Sequence, residues 1–362
     1  ASEIYETWSY YWNGTIILSA GGKDITGDGI ADAVFIIHDP DYDSIEVYLV
    51  PGGSRFEDLQ SGDFGFEIGV YLTSWPSFYD GSNQTPTDLD LGDVNGDGYA
   101  DIVLGFGTDY FSGWDYDGDG DLDSTDGMVE IIHGASLATL IEQQGNQTWT
   151  SFLSPLGSRD ADFGASIAVG DLNGDGYADI VIGAPYADEN DALDNNDGAV
   201  YIIYGQASLK INTYDDSGDG AYVVSDYGTS IEYYENFSGF ADAEMGAAVT
   251  MGDFNGDGYM DYAVSMNGLT LNGLDDSGVV LIALGNAPGI PFVRVVISGS
   301  TENAHLGEGD GSIENLGDVN GDGLDDLGIK DAEGRFFIIW GQEFWPVNFD
   351  YNSDFTNDSY FL

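Results

Sequence analysis

The chain has 362 residues, and 42% of them are hydrophobic, which is enough apolar surface for one large domain or two ordinary ones. Its 65 acidic residues against seven basic ones give a formal net charge of -58, which excludes phosphate backbones and anionic membrane surfaces as natural partners. No cysteine is present and no apolar run approaches the length of a membrane span, so any structural cross-link must use oxygen ligands. The opening segment ASEIYETW lacks a start Met and a signal-like apolar run, and we expect a mature or trimmed soluble form.

An acidic nine-residue motif occurs five times along the chain. In order the copies read DITGDGIAD, DVNGDGYAD, DLNGDGYAD, DFNGDGYMD and DVNGDGLDD, and they begin at Asp24, Asp93, Asp171, Asp253 and Asp318. Successive copies start 69, 78, 82 and 65 residues apart. A single Asp-Gly or Asn-Gly pair is typical of a hairpin turn, but five copies in one register indicate a role beyond turning the chain.

Two apolar runs follow each copy, and the second run ends at a glycine. The first runs are AVFII, DIVLG, DIVIG, DYAVS and DLGIK, and the second are EVYLVPG, VEIIHG, VYIIYG, VLIALG and FFIIWG. Short apolar runs bounded by Gly and Asp turns predict strands, and a long repeat built from strands predicts propeller blades or a β-solenoid. In the third unit the four strands are predicted in FGASIAVG, ADIVIGAP, AVYIIYG and a segment within 209–224.

These repeats predict an all-β fold, a single β-propeller of four-stranded antiparallel blades that occupies residues 1–362. Five blades match the five motifs, and six or seven stay open if degenerate blades lie in the inserts. The predicted blades cover 13–72, 86–153, 163–224, 245–299 and 307–362. The aromatic segments 1–12 and 343–362 are expected to close the propeller or to join copies of the chain, the C-terminal one as the outer strand of the last blade.

The motif spacing predicts a calcium site in each copy. Side-chain oxygens at positions 1, 3, 5 and 9 and the carbonyl of position 7 can surround a hard cation, while Gly at position 6 permits the sharp turn. An oxygen-only, flexible donor set suits calcium better than magnesium or zinc. The five sets are Asp24, Thr26, Asp28, Ile30 and Asp32; Asp93, Asn95, Asp97, Tyr99 and Asp101; Asp171, Asn173, Asp175, Tyr177 and Asp179; Asp253, Asn255, Asp257, Tyr259 and Asp261; and Asp318, Asn320, Asp322, Leu324 and Asp326.

A sixth acidic segment, DYDGDGDLDSTD, has the spacing of an EF-hand-like loop. Its expected ligands are Asp115, Asp117, Asp119, the carbonyl of Asp121, Asp123 and Asp126. Aspartate at the twelfth position is shorter than the usual glutamate, and a solvated acidic insert is the alternative interpretation. The chain is therefore expected to bind five calcium ions, with this loop as a sixth site.

The third unit, FGASIAVGDLNGDGYADIVIGAP followed by GAVYIIYG, resembles an FG-GAP repeat of the integrin alpha-subunit β-propeller and its bacterial and archaeal relatives. This unit alone keeps both Phe163-Gly164 and Gly183-Ala184-Pro185, whereas the fourth has Met245-Gly246. The resemblance implies a propeller with calcium in the acidic loops. Propellers of that family typically have seven blades, while this chain shows five motifs.

Calcium loops of this kind bind weakly enough to be empty in the cytosol, so we expect an extracellular or cell-surface protein. The calcium hairpin is expected to join the first two strands of each blade, which places the longer inserts at the opposite end, and the resemblance to integrins points to that end as well. Aromatic side chains are concentrated in those inserts, and the candidate ligand-contacting residues are Trp75, Phe78, Tyr79, Tyr110, Phe111, Trp114, Tyr233, Tyr234 and Phe237. Packing of these rings onto the blades is the alternative.

We expect a non-catalytic module for binding, cell adhesion or surface assembly, whose partner is a protein or glycan ligand at a cell surface or copies of itself. A structural subunit of an extracellular filament or surface layer is a second interpretation, and a calcium-dependent polysaccharide lyase or hydrolase is a third. Acid-base catalysis needs a positioned side chain, yet the three histidines, His38, His133 and His305, lie in separate repeat contexts. His133 is predicted to pack at a strand end.

Overall fold

A computed structural model of the chain shows an all-β protein, as predicted. The structure describes residues 15–39, 44–53, 70–76, 85–107, 127–143, 149–153, 162–187, 196–207, 222–223, 231–236, 242–271, 273–285, 293–308, 311–345 and 360–361. Within them the only α-helix is α1 (Leu137–Glu142), which Ser136 caps by accepting the Thr139 N–H. No helix in these ranges combines the length and hydropathy needed to cross a bilayer.

The strands form five sheets. The first half of the chain contains β1 (Thr15–Lys23), β2 (Asp32–Asp39), β3 (Ser44–Val50), β4 (Val70–Pro76), β5 (Asp88–Gly92), β6 (Asp101–Phe106), β7 (Met128–Ile132), β8 (Trp149–Leu153), β9 (Ser166–Gly170) and β10 (Asp179–Ala184). The second half contains β11 (Ala199–Ile203), β12 (Tyr222–Val223), β13 (Ile231–Asn236), β14 (Met245–Gly252), β15 (Asp261–Met266), β16 (Val279–Leu284), β17 (Val293–Ser298), β18 (Ile313–Asn315), β19 (Leu327–Lys330), β20 (Phe336–Ile339) and β21 (Tyr360–Phe361). The sheet orders are β1-β2-β3-β4, β5-β6-β7-β8-β12, β9-β10-β11-β13, β14-β15-β16-β17-β21 and β18-β19-β20.

Each sheet contains an antiparallel meander whose first two strands are joined by one copy of the acidic motif. We call these segments loop 1 (24–32), loop 2 (93–101), loop 3 (171–179), loop 4 (253–261) and loop 5 (318–326). Because the strands alternate in direction, all connections between second and third strands lie at the opposite end of their sheets. The fold therefore separates an acidic end from an insert end.

Hydrophobic residues fill the spaces between consecutive sheets. Within the described residues four core clusters each join one sheet to the next: Val34 and Leu104 belong to the first, Val103 and Ile182 to the second. The strands β6, β10 and β15 are buried along their whole length because both of their faces are covered. The first strands β1, β5, β9, β14 and β18 contact one another in succession. This serial order of sheets is consistent with an FG-GAP propeller.

Two strand pairings differ from the sequence expectation. The fourth strand of the third sheet is β13, whereas the sequence predicted it within 209–224; the described part of that segment, β12, instead pairs in parallel with β8 of the second sheet. The C-terminal strand β21 pairs in parallel with β17 of the fourth sheet and not with the last sheet. Each of these strands pairs with the last strand of a meander formed by another repeat. Hydrophobic patterning within one repeat does not specify such a pairing.

The FG pair of the third unit forms part of the contact between the second and third sheets. The Phe163 ring is fully buried and makes an edge-on contact with Tyr201, with 5.3 Å between ring centroids. Gly164 has a φ of 93° and donates its N–H to the Gly183 carbonyl at 3.0 Å. A Cβ at Gly164 would lie 2.5 Å from the Met128 carbonyl oxygen, so glycine is required by both conformation and space.

The glycine that ends each third strand has a steric reason. A Cβ on Gly134, Gly205 or Gly285 would approach the carbonyl oxygen at position 8 of its own acidic loop to 2.3, 2.3 and 2.0 Å. Gly52 and Gly341 meet the equivalent oxygens at 2.5 Å. A backbone atom cannot move aside as a flexible side chain can, so the loop and the third strand approach this closely only with glycine.

Replacing Gly285 by alanine should therefore destabilise the protein by about 2 kcal/mol or more, because backbone must shift to relieve the clash. Gly21→Ala is the matched control, since its nearest atom, the Asp32 carbonyl oxygen, lies at 3.2 Å. Urea unfolding of both variants measures the difference. Equal losses of stability in the two variants would contradict the steric explanation.

Candidate cation-binding loops

The aspartate at position 1 organises each acidic loop. In loop 3 the Oδ1 atom of Asp171 accepts the N–H groups of Gly174 and Asp175 at 2.6 and 3.1 Å, and its Oδ2 accepts that of Gly176 at 2.9 Å. The same three contacts recur in the other four loops. In loop 5 these backbone hydrogen bonds lower the pKa of Asp318. The turn of loop 5 is therefore built around an ionised carboxylate.

Positions 3 and 5 continue the pattern with oxygen acceptors at the solvent-exposed end. In loop 3 Asn173 Oδ1 accepts the Asp175 N–H at 2.9 Å, and Asp175 Oδ1 accepts the Tyr177 N–H at 3.0 Å. In loops 4 and 5 the amide nitrogens of Asn255 and Asn320 also donate to the position-5 carboxylates.

The aspartate at position 9 is buried and connects the loop to the third strand. Asp179 Oδ2 accepts the Leu172 N–H of its own loop at 2.9 Å, and Asp179 Oδ1 accepts the Gly205 N–H at 2.9 Å. The corresponding Asp32, Asp101, Asp261 and Asp326 make the same pair of contacts. The position-9 oxygens thus hold the loop closed, and their use as cation ligands stays a prediction.

Burial raises the pKa of two position-9 carboxyls. It raises the pKa of Asp179 to about 7 and that of Asp261 to about 8, and the neighbouring loop carboxylates act in the same direction. The accepted backbone N–H groups oppose this effect. Burial likewise raises the pKa of Asp101, although the adjacent His133 opposes the change.

His133 is buried beside loop 2, as its predicted packing role at a strand end requires. Its Nδ1 atom lies 3.2 Å from Asp101 Oδ1 and 3.2 Å from Asn95 Nδ2. Both neighbours belong to loop 2, so this histidine supports the loop. His305 lies in the connection before the fifth sheet with a φ of 44°, and His38 lies in β2.

The donor chemistry of the loops fits a hard divalent cation. Every loop offers aspartates at positions 1, 5 and 9, an amide or hydroxyl at position 3 and a carbonyl at position 7. In loop 1 the Thr26 hydroxyl at position 3 is buried and makes no hydrogen bond within the described residues. The carboxylates in their present orientation are occupied by backbone N–H groups, and across the described ranges no three Asp, Glu, His or Cys side chains form a metal-binding cluster.

Consecutive loops contact each other. The position-8 N–H of each loop donates to the position-1 carbonyl of the loop before it: Ala100 to Asp24, Ala178 to Asp93, Met260 to Asp171 and Asp325 to Asp253, at 2.8–3.1 Å. The position-7 side chain also covers the position-4 glycine of the preceding loop, as Tyr177 covers Gly96. Any cation sites in these loops are thus physically linked in series.

The predicted sixth calcium loop at 115–126 lies outside the described residues, as do Phe78, Tyr79, Tyr110, Phe111, Trp114 and Phe237. Trp75 was expected in a blade connection but belongs to β4. Tyr233 and Tyr234, also expected in a connection, belong to β13 and pair with Ile202 and Tyr201. Their strand positions follow from pairing with a neighbouring strand, which aromatic content alone does not reveal.

Two groups of residues were missed by the sequence reasoning. The strand-end glycines that donate to position 9 could have been found, because every second apolar run ends at one.

Tyr186, at the insert end, is 37% exposed, and burial together with the nearby Glu244 and Asp162 raises its pKa. Glu244 is held by the Asn267 side-chain amide at 3.0 Å. The sequence signal for Tyr186 was its position as an aromatic residue at the start of the insert between the second and third strands of its sheet.

Comparison with known proteins finds one repeat family and a set of integrin alpha subunits. Residues 163–203, which contain loop 3 with β9, β10 and β11, match the FG-GAP repeat. The chain is related to integrin-type FG-GAP proteins. Integrin alpha-V of Gallus gallus is 25% identical over 79% of the chain, integrin alpha-PS2 of Drosophila melanogaster 30% over 57%, and integrin alpha pat-2 of Caenorhabditis briggsae 35% over 50%. The aligned parts make up 20%, 13% and 13% of those relatives, so the chain corresponds to a minor part of each.

Substitution at positions 5 and 9 should separate two structural roles. Asp179→Ala leaves two buried backbone N–H groups without acceptors and should cost about 3 kcal/mol in a chelating buffer. Asp175→Ala removes an exposed acceptor and should cost less than about 1 kcal/mol under the same conditions. Chemical denaturation of the metal-free variants gives both values. A reversed order would show that position 9 does not hold the loop to the third strand.

Proposed function

We propose that the chain is an extracellular, calcium-stabilised β-propeller module that binds a protein or glycan at a cell surface without catalysing a reaction. The observation that carries this proposal is the fivefold recurrence of one oxygen-rich loop geometry at the same end of successive sheets. Asparagine at position 5 would serve the turn alone, because its oxygen also accepts the position-7 N–H, yet every copy has an exposed aspartate there. The relatives, which are integrin alpha subunits, support an adhesion-type module.

The five sheets are proposed to be the propeller blades, with boundaries near the predicted ones. Calcium would be held by the loop residues at positions 1, 3, 5 and 9 and by the position-7 carbonyl. It would supply positive charge to a protein whose formal net charge is -58. The loops' own residues fix the turn and present the oxygens, while the buried position-9 aspartates hold each loop to its sheet.

The insert end is proposed to carry the ligand surface. Loops on a rigid strand scaffold are common positions for recognition, and this end is spatially separate from the acidic loops. Tyr186, beside Glu244 and Asp162, supplies an exposed ring with acidic neighbours in the described part of this surface. Aromatic rings next to carboxylates suit sugars and polar or basic protein segments.

Calcium should raise the melting temperature, and chelation should lower it. Each site at ten times its Kd contributes about 1.4 kcal/mol, so several sites together give a large shift. Asp175→Asn keeps the acceptor for the Tyr177 N–H but removes one ligand charge, so its stability in chelator should match wild type while its calcium-dependent gain becomes smaller. Glu302→Gln, an exposed charge change outside the loops, is the control.

Calorimetric titration and thermal melting measure these effects. A melting temperature that does not respond to calcium in the wild type would refute the cation proposal. A loss in Glu302→Gln equal to that in Asp175→Asn would show a general charge effect.

The binding role is tested on arrays of glycans and extracellular-matrix proteins. The wild type should bind at least one class, and Tyr186→Ala should weaken that binding about tenfold, while Phe344→Ala, an exposed ring after the last sheet, should leave it unchanged. Release of reducing sugar or unsaturated product from a bound glycan would instead support the lyase or hydrolase alternative. Binding unaffected by Tyr186→Ala would place the ligand elsewhere.

A further inference from the structure

The contact between consecutive loops is a repeated joint with two distinct halves. One half, on the earlier loop, consists of the position-1 carbonyl, the position-4 glycine and the position-2 side chain. The other half, on the later loop, consists of the position-7 side chain and the position-8 N–H. Four such joints are present, between loops 1 and 2, 2 and 3, 3 and 4, and 4 and 5.

The last loop exposes the first half of this joint. Its position-2 residue, Val319, is 54% exposed, whereas the four equivalent residues, Ile25, Val94, Leu172 and Phe254, are fully buried. Within the described residues nothing lies within 4 Å of a Cβ built on Gly321, while the other position-4 glycines are covered by a position-7 side chain. The carbonyl-bearing Asp318 is exposed as well. Loop 5 therefore presents a joint half without its complement.

The first loop exposes the second half. Its position-7 residue, Ile30, is 48% exposed, and its position-8 residue, Ala31, is also exposed. In loops 2 to 5 the position-7 residues, Tyr99, Tyr177, Tyr259 and Leu324, are partly buried against the preceding loop. The two exposed halves at opposite ends of the array are thus complementary to each other.

The outer face of the fifth sheet is more exposed than the faces of the interior sheets. Strand β20 alternates between exposed and partly buried residues, with Phe336 and Ile338 pointing outward, whereas its counterparts β11 and β16 are buried along their length. Strand β3 of the first sheet also alternates, in contrast to the interior sheets. The fifth sheet therefore presents an apolar face of the type that packs between neighbouring sheets, whereas the alternate residues of β3, Ser44, Glu46, Tyr48 and Val50, are partly buried.

We infer that the exposed face of the fifth sheet binds the first sheet of a second copy of this chain through a fifth joint of the same form. Ile30 of the second copy would cover Gly321, and its Ala31 N–H would donate to the Asp318 carbonyl. Within the described residues the chain supplies both halves of this joint and leaves both exposed. The acidic loops are no barrier, because four existing joints already hold such loops together.

This contact is head-to-tail and uses different surfaces on the two copies, so it generates rings or filaments of the chain. It concerns the ends of the array and does not depend on the ligand surface or on which cation the loops bind. Concentrated sodium chloride screens the acidic ends without calcium, which allows the contact to be tested separately from the proposed cation sites.

The test uses two blocked variants, Ile30→Asp and Val319→Asp, each of which places a charge in one half of the joint. The wild type should self-associate with rising concentration in sedimentation velocity experiments, and each variant alone should be monomeric. An equimolar mixture should form a dimer of about twice the monomer mass, because each variant keeps the half that the other lacks. Ile141→Asp, an exposed change on α1, is the control and should associate like wild type.

Since Ile30 and Val319 are exposed, neither substitution should change the melting temperature of the monomer. A strictly monomeric wild type overturns the proposal. A monomer whose melting temperature falls in both variants identifies closure by the chain's own first sheet instead. Association that persists in either variant, or a mixture that stays monomeric, overturns the assigned surfaces.

Discussion

The buried position-9 aspartate is the interaction on which the repeated architecture depends. In every sheet one of its oxygens accepts a backbone N–H from its own acidic loop. The other oxygen accepts the N–H of the glycine at the end of the third strand, which is distant from the loop in sequence. A buried carboxylate without such donors would be costly, and the N–H groups without the carboxylate would be equally costly. The pair fixes where the loop lies relative to the sheet. All other loop contacts follow from that position.

Fixing each loop also fixes the distance between loops. The position-8 N–H and the position-7 side chain extend from a loop whose location is set by its own sheet, and they reach the loop before it. The hydrophobic clusters between sheets and the contacts between acidic loops therefore act together on the same sheet spacing. A cation in one loop would stabilise a conformation on which the next loop also depends, which is why the proposed sites and the sheet packing form one system.

Much of this architecture could be predicted from the sequence because it repeats. The strands, the placement of the acidic motif between first and second strands, and the FG-GAP resemblance all follow from patterns within a single unit. The pairing of β12 and β21 could not be predicted, since both strands bind edges contributed by other units. Tyr233 and Tyr234 were placed in a connection for a similar reason, because a tyrosine-rich strand has no alternating apolar pattern.

The position-9 aspartate shows a different limit. Its place in the motif is that of a cation ligand. Its burial depends on tertiary structure, and so does its hydrogen bond to a strand-end glycine, which is 26 residues away for loop 3 and 24 for loop 4. The glycines were visible as a regularity, but the reason for them, a carbonyl oxygen of the acidic loop within 2.0–2.5 Å of an added Cβ, exists only after the chain has folded.

Serial contact between neighbours also has a consequence for how the protein forms. Each sheet packs against the sheets before and after it. Each acidic loop after the first donates a hydrogen bond to the loop that precedes it in the chain. Such a nearest-neighbour array can fold progressively during synthesis, each new unit docking onto a finished template. Under mechanical load the same order would favour release of sheets one at a time from the two exposed ends, so that extension proceeds in discrete steps.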